Sequence, residues 1–160
     1  MTDTSDRLIT IGVKGPPTVT VRQETDTNPD LSWLGEYSSD SSHQHEPITI
    51  DRQERGDNLQ GQHRYFHGGS NYGDDPEAER YVAEDYLRME NYNRGFWGMV
   101  GVIATAVLET EAGSITQEAS IWGVESDSGD EYFKQLEDEQ KGEALRMLGE
   151  SVLAQLEGEQ

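Results

Sequence analysis

Residues 96–124 read FWGMVGVIATAVLETEAGSITQEASIWGV, and this stretch decides the fold. Phe96 to Glu109 is rich in β-branched and apolar residues and is long enough for one strand. Thr110 to Ser114 contains Gly113 and is typical of a turn, and Ile115 to Val124 supplies a second strand. The stretch therefore predicts a long antiparallel hairpin, which we expect at the centre of a sheet.

A helix is predicted immediately before the hairpin, over residues 76–94. Asp74 or Asp75 can cap the free amides at its start, and Pro76 suits the first helical position. Gly95 is a typical C-terminal stop. Apolar residues at helical spacing then give the helix one apolar face, formed by Ala78, Val82, Tyr86, Met89 and Tyr92.

The C-terminal region predicts two further helical segments, around 130–140 and 142–157, separated near Gly142. Ser126-Asp127-Ser128 resembles a helix cap in front of them. The second segment carries an apolar stripe at helical spacing, formed by Ala144, Leu145, Leu148, Val152, Leu153 and Leu156. We expect this stripe to face the hairpin sheet.

The N-terminal half is less regular. Residues 7–13 and 17–22 predict two short strands in a hairpin-like arrangement around Gly15-Pro16-Pro17. Residues 23–75 are polar and mostly loop, with strands near 47–51 and 63–67 and a disordered tip near 38–46.

Together these elements predict an α+β fold: an antiparallel sheet centred on the long hairpin, packed by one middle helix and by C-terminal helices. Residues 1–75 are assigned to N-terminal short strands and a long polar loop of the same domain. Residues 76–160 are assigned to the helix, the hairpin and the C-terminal helical core.

Charge is the strongest compositional feature. The 160 residues include 32 Asp and Glu against 12 Lys and Arg, a net charge of −20. Long-range repulsion therefore disfavours direct binding to nucleic acid or to an anionic membrane. Lysine occurs only at positions 14, 134 and 141, and low lysine with abundant Asp, Glu and Thr resembles proteins of salt-in halophiles.

The absence of cysteine excludes a disulfide framework, a cysteine zinc site and a thiol nucleophile. The N-terminal residues MTDTSDRLIT lack a basic region followed by an apolar one, so we expect no secretion signal and a cytoplasmic location. The longest apolar run, Met99 to Leu108, is too short to span a bilayer.

Histidines are the residues that most invite a metal interpretation. His43 and His45 have a common ligand spacing, and His63 and His67 follow in the same polar region. Exposed loop histidines are the favoured alternative, because this region is the most polar part of the chain. We therefore expect no metal site and no cofactor.

No catalytic constellation is evident. The segment from Asp26 to Tyr37 starts like a calcium loop but lacks the turn glycine and the closing glutamate, and no phosphate loop, nucleophile elbow or dinucleotide fingerprint occurs. The string from Trp122 to Ser128 is compatible with a capped turn between strand and helix or with an active site, and the turn is favoured. We expect a protein that is not an enzyme and has no catalytic residues.

Several aromatic and glycine positions have two interpretations. Trp97 and Trp122 are predicted to pack across the hairpin. Trp33 either anchors the irregular N-terminal half onto the hairpin sheet or contacts a partner protein. Gly98 and Gly101 mark either a bulge or close packing, which is favoured, or the close approach of a partner backbone.

Four strings of the chain resemble a family of small uncharacterised proteins carried by phages, proviruses and plasmids. The strings are SWLGEY (32–37), YVAEDY (81–86), NYNRGFW (91–97) and IWGVESDS (121–128), and the resemblance covers most of residues 30–150. It implies an accessory protein of a mobile element, acting in the interior of the host cell. It supplies no functional residue.

Two functions follow as hypotheses. The first is a non-enzymatic acidic binding protein whose partner is a host or viral protein with a basic surface, and which acts as a nucleic-acid mimic. Its partner-binding residues are predicted to be Trp33 and the carboxylates Glu137, Asp138, Glu139, Glu143 and Glu150 on the outer faces of the C-terminal helices.

The second hypothesis is a structural or assembly protein whose acidity is halophilic solvent adaptation, in which case the charge should be spread evenly. A metal-dependent hydrolase or nuclease is ranked last. A homodimer through a sheet edge is left open, although the net charge opposes self-association at low salt.

Overall fold

The computed structural model describes residues 3–41, 48–69 and 72–158. Over those residues the fold is α+β, as predicted, with three helices and two three-stranded antiparallel sheets. The elements in chain order are α1 (Thr4–Thr10), β1 (Thr18–Thr25), β2 (Gly35–Ser38), β3 (Thr49–Asp51), β4 (Tyr65–Gly68), α2 (Ala78–Asn93), β5 (Met99–Thr110), β6 (Gly113–Glu125) and α3 (Asp130–Gly158).

The chain divides into two compact units. The first unit combines Met1–Thr27 with Gly98–Gln160, and the second unit is Asn28–Trp97. The sequence analysis instead divided a single domain between residues 75 and 76. The difference arises because β1 pairs with a strand that lies far along the chain. A local sequence pattern does not predict such a pairing.

The predicted hairpin forms the centre of the first unit. Its sheet has the order β1-β5-β6, with β5 antiparallel to both neighbours. The turn is tighter than predicted, because Thr110 pairs with Gly113 and only two residues connect the strands. Thr110 Oγ1 donates to the Gly113 carbonyl over 2.7 Å and secures the turn.

The core of the first unit lies between one face of this sheet and α3. Small side chains at Ala104, Ala106 and Ala119 let the helix approach the sheet closely, and Ala144 does the same from the helix. Larger residues complete the cluster, namely Leu108, Ile115, Leu148, Val152 and Leu156. The stripe predicted for the C-terminal helix is therefore confirmed as the core face, except for Leu145 and Leu153, which remain exposed.

A β-bulge interrupts the hairpin at Gly101. The register between β5 and β6 shifts between Val100 and Val102. A Cβ atom at Gly101 would lie 2.5 Å from carbons of the Trp122 ring, so that ring covers the glycine. The structure thus confirms the bulge and the close packing at Gly101.

Helix α3 is continuous from Asp130 to Gly158, so the predicted break near Gly142 is wrong. A glycine inside a helix costs only about 0.5–1 kcal/mol relative to alanine. Buried Leu136 and Ala144 hold the helix on the sheet on both sides of Gly142, and this burial outweighs the cost.

The N-terminal prediction is also corrected. Residues 4–10 form α1, and the only strand-like contact of the predicted 7–13 strand is an isolated bridge from Val13 to Thr110. Leu8 and Ile11, three residues apart, pack against the core of the first unit, which favours a helical turn over a strand. The strand predicted at 17–22 exists as β1, but it pairs with β5 and is not part of a local hairpin.

The second unit contains the sheet of order β2-β4-β3 and helix α2. The strands predicted near 47–51 and 63–67 are confirmed as β3 and β4, and β2 was not predicted. Most of the disordered tip predicted near 38–46 lies outside the described residues.

Helix α2 packs against β4 and β2 within the second unit. Four residues of its predicted apolar face are buried, namely Ala78, Val82, Tyr86 and Met89. Val82 and Tyr86 belong to the core of this unit, where the Tyr86 ring lies 5.2 Å from that of Phe66. The helix ends as predicted, since Gly95 has a φ of +80° just beyond it.

Trp97 belongs to the second unit, where its ring packs at the end of α2. Its ring lies 5.3 Å from that of Tyr92, and its Nε1 donates to the Arg88 carbonyl over 2.8 Å. The Arg88 guanidinium lies 3.7 Å from the centre of the Trp97 ring. The indole therefore closes the C-terminal end of α2, where its N–H has a hydrogen-bond partner.

Candidate functional site

The five carboxylates predicted to bind a partner all lie on α3, but they do not share one face. Glu139, Glu143 and Glu150 follow at intervals that place them on the same side of a helix, and all three are exposed. Glu137 is half-buried on the side nearer the sheet, and Asp138 lies between the two sides. We call the exposed side formed by Glu139, Glu143, Arg146, Glu150 and Glu157 the outer side of α3.

Arg146 lies in the middle of this outer side and pairs with two of its carboxylates. Its guanidinium contacts both carboxylate oxygens of Glu143, and its Nη1 donates to Glu150. The hydrogen bonds and the positive charge of Arg146 hold the pKa of Glu143 below its usual range. Three charged side chains therefore present a net charge of only −1.

An apolar groove of about 480 Å³ lies beside this surface in the first unit. Two exposed leucines of α3 border it, with 37% of Leu145 and 43% of Leu153 accessible to solvent. Gly149 lies between them, and a Cβ atom added there would meet no atom within 4 Å. The other lining residues are Leu8, Val13, Gly15, Pro16, Pro17, Leu108, Leu148 and Val152.

Trp33 lies in the second unit with 44% of its surface exposed, while its neighbour Leu34 is buried. Its anchoring of the N-terminal half onto the hairpin sheet stays a prediction. The Gly69 N–H donates to the Leu34 carbonyl over 3.1 Å, and a Cβ atom at Gly69 would clash with the carbonyl of Ser32. Leu34 thus fixes this loop, and the partner contact proposed for Trp33 stays a prediction.

The sequence analysis missed a cluster of polar residues around Arg52 in the second unit. The Arg52 side chain is buried, and its Nη2 donates to Glu90 over 3.0 Å and to Gln62 over 2.8 Å. Its Nη1 donates to the His63 carbonyl over 2.7 Å, and its Nε donates to the Tyr86 hydroxyl over 3.2 Å. Four of the five guanidinium hydrogens are accounted for.

Two tyrosines complete this cluster. Tyr37 donates to Glu90 over 2.8 Å, and Tyr86 donates to Asp57 over 2.5 Å. Burial and the hydrogen bond to Glu90 raise the pKa of Tyr37 above its ordinary value. Burial and the hydrogen bond to Asp57 raise the pKa of Tyr86 to about 12.

A cleft of about 560 Å³ opens beside the cluster, and Asn58, Asn93 and Arg94 add to its lining. Glu90 Oε1 accepts hydrogen bonds from both Arg52 and Tyr37, so these three cleft-lining residues are joined to one another. We therefore assign the cluster a structural role, in which Arg52 links α2 to the loops that carry residues 57–63. Tyr86 and Glu90 are four residues apart on α2, but Tyr37 and Arg52 lie too far from them in sequence for a motif to connect the cluster.

The two histidines in the described part of the chain each have polar neighbours. His67 is buried, with Nδ1 2.8 Å from Thr49 Oγ1 and Nε2 3.0 Å from the Asp40 carbonyl, so both ring nitrogens are engaged. His63 is exposed, and its Nδ1 lies 3.0 Å from Ser39 Oγ. His43 and His45 lie outside the described residues.

The part of the chain that the structure describes has neither a metal-binding cluster nor a membrane-spanning helix. Among its residues, no group of three or more His, Asp and Glu side chains is arranged to hold a metal ion. None of the helices there combines the length and the apolar composition that crossing a bilayer requires.

Comparison with known proteins gave no match: no family model, no curated protein and no solved structure is similar to the chain. The resemblance to proteins of mobile elements therefore stays a prediction. Function has to be argued from the surfaces described above.

Proposed function

We propose that this chain is a non-enzymatic acidic binding protein of a mobile element, which docks on a basic surface of a host or viral protein through α3. The observation that carries the proposal is the combination, on one long helix, of the acidic outer side with the exposed leucines of the adjoining groove. Leu145 and Leu153 are more than a third exposed in a chain of low apolar content. Exposed apolar patches rimmed by polar groups are typical of interaction sites.

The charge density of α3 is too low for this helix to mimic a whole DNA duplex. From Asp130 to Gly158 the helix carries eight carboxylates and three cationic side chains, a net charge of −5. The helix is about 43 Å long, which gives one net charge per roughly 9 Å, whereas duplex DNA carries one per about 1.7 Å. A local basic patch is therefore a better match for α3 than a channel that holds a whole duplex.

A second candidate, halophilic solvent adaptation, is favoured by the even spread of acidic residues. Asp and Glu make up 18 of the 90 residues of the first unit and 14 of the 70 residues of the second unit, one in five in each. This is the distribution expected if the charge serves hydration of the whole surface. The first candidate expects α3 to contribute more to partner binding than another acidic helix does. The second candidate expects all acidic helices to contribute equally.

The chain offers a matched pair of variants that tests this difference. On α3, Arg146 pairs with Glu143 and Glu150 at spacings of three and four residues, and on α2, Arg80 pairs with Glu77 and Glu84 at the same spacings. Glu143→Gln with Glu150→Gln and Glu77→Gln with Glu84→Gln therefore remove the same charge from the same ion-pair arrangement.

The measurement is the affinity for an unstructured peptide of alternating lysine and glycine at about 0.1 M salt, where the Debye length is about 10 Å. We expect the α3 pair of substitutions to weaken binding at least fivefold and the α2 pair to weaken it less than twofold. Equal losses in the two variants would favour the solvent-adaptation candidate, because binding would then follow the total charge alone.

A further inference from the structure

In the wall that α3 contributes to the groove, the central residue is a glycine, which has no side chain. Gly149 lies between Leu145 and Leu153 at intervals of four residues, so the three form one line along the helix. Among the described residues, no atom beyond the adjoining backbone of α3 lies within 4 Å of the place where a Gly149 side chain would begin. Packing within the chain therefore gives no reason for a glycine in the middle of this helix, where alanine would be more stable.

We propose that the groove is the docking site for an amphipathic helix of the partner, with leucine-sized side chains on the docking face and lysine or arginine along one edge. This inference rests on the proposed function and adds the chemistry of the partner. The groove volume of about 480 Å³ lies within the usual range of ligand pockets.

A helical occupant follows from the shape of the α3 wall. The distance between two packed helices depends on the side chains at their contact, and a glycine there allows the closest approach. At Gly149 a second helix can lie directly against the backbone of α3, while Leu145 and Leu153 flank the crossing point. Helices that lay an apolar face into such a groove recur in protein recognition.

The basic edge of the occupant follows from charge complementarity. Arg146 and Glu150 flank the line of Leu145, Gly149 and Leu153 on α3, and Arg146 with its partners Glu143 and Glu150 leaves an uncompensated negative charge. The opposite wall runs through Val13 and Gly15, with exposed Lys14 between them. The positive side chains of the occupant therefore belong along α3. A second copy of the chain is disfavoured as the occupant, because each copy carries a net charge of −20.

The test uses two peptides of equal composition, made of leucine and lysine. In one the leucines follow at helical spacing, and in the other the order is scrambled. We expect the amphipathic peptide to bind at least tenfold more tightly than the scrambled peptide to the full chain at about 0.1 M salt, where charge attraction acts on both. Equal affinity for the two peptides would overturn the groove proposal while leaving the proposed docking through charge intact.

Gly149→Trp fills the groove, and Gly142→Trp is the matched control. Gly142 lies seven residues earlier on the same helix, is equally exposed and open, and does not line the groove. We expect Gly149→Trp to weaken binding of the amphipathic peptide at least tenfold and Gly142→Trp to weaken it less than twofold. Leu153→Gln, at an exposed lining residue, is a second variant with the same expected direction.

The remaining outcomes are also decisive. If Gly149→Trp and Leu153→Gln, both folded by circular dichroism, bind the amphipathic peptide as the wild type does, the groove proposal is overturned. If neither peptide binds the wild type at low salt, the proposed function itself fails. If the wild type sediments as a dimer that Gly149→Trp dissociates, a second copy occupies the groove and the partner helix is excluded.

Discussion

Arg52 Nη2 lies 3.0 Å from Glu90 Oε1, and only 4% of the arginine side chain and 17% of the glutamate side chain are exposed. This ion pair joins the loop after β3 to the last turns of α2 within the second unit. Removing one member of a buried pair leaves the other without compensation, which is more costly than losing a surface pair. The pair is therefore a determinant of stability in this unit.

Arg52→Met should destabilise the second unit by about 3–5 kcal/mol, because it leaves the Glu90 carboxylate buried and unpaired. The measurement is urea denaturation followed by the fluorescence of Trp33 and Trp97, in a Trp122→Phe background that removes the tryptophan of the first unit. Arg80→Met is the control, since Arg80 forms exposed pairs with Glu77 and Glu84, and it should leave the midpoint nearly unchanged. Similar midpoints for the two variants would mean that the buried pair does not hold this unit together.

The Tyr86 hydroxyl should ionise later than an exposed tyrosine. Its pKa is raised to about 12 by burial and by the hydrogen bond to Asp57, from an ordinary value of 10.0. A raised pKa in the folded state contributes stability that is complete below pH 10 and is lost as the pH rises towards 12.

Tyrosinate absorbance near 295 nm, followed through this range, should show a late-titrating group that Tyr86→Phe removes. The free energy of unfolding of the wild type should fall across the same window. A titration of Tyr86→Phe that overlays the wild type would contradict the assignment.

The elements predicted correctly are those whose signal is local. The β5–β6 hairpin has two apolar strands around a short turn, and α2 has an apolar stripe and a stop glycine, although it begins at Ala78 and not at the predicted Pro76. The local sequence of each of these elements is therefore sufficient to specify its conformation. The stripes of α2 and α3 therefore also identified the helical residues of the core, except Leu136.

The wrong predictions concern segments whose conformation depends on contacts with residues that are distant in sequence. The segment around Leu8 contains the β-branched residues of a strand, but packing against the first-unit core selects a helix. The Arg52 cluster joins residues 37, 52, 57, 86 and 90, and no spacing rule connects them. The exposed leucines and Gly149 were visible in the sequence, but only the fold shows that they border one groove.

Gly101→Ala should be tolerated only when Trp122 can move. The Cβ atom of the new alanine would lie 2.5 Å from the Trp122 ring, so the ring must shift from its place over the bulge. We expect a destabilisation of about 1–3 kcal/mol from this overpacking.

The same substitution in a Trp122→Ala background should cost much less, so a double-mutant cycle by thermal unfolding should give a clear coupling energy. Additive effects of the two substitutions would show that the ring does not rest on Gly101.

Gly149→Ala should stabilise the protein, because the added Cβ atom meets nothing and alanine favours the helix by about 0.5–1 kcal/mol. The expected rise in Tm is roughly 2–4 °C per kcal/mol for a chain of this size. Gly142→Ala should give a similar gain, since its surroundings are equally open. A loss of stability in either variant would mean that the glycine has a structural purpose in α3, and the argument for an open groove wall would fail at Gly149.

The central claim is that the acidity of α3 serves a partner and is not required by the solvent. Thermal unfolding by circular dichroism, from about 0.1 M salt to several molar, tests it most directly, because the Debye length falls from about 10 Å to below 3 Å over this range. We predict a cooperative transition at 0.1 M salt, with a folded baseline that does not change as salt is added. A chain that folds only in molar salt would contradict the claim and assign its charge to halophilic adaptation.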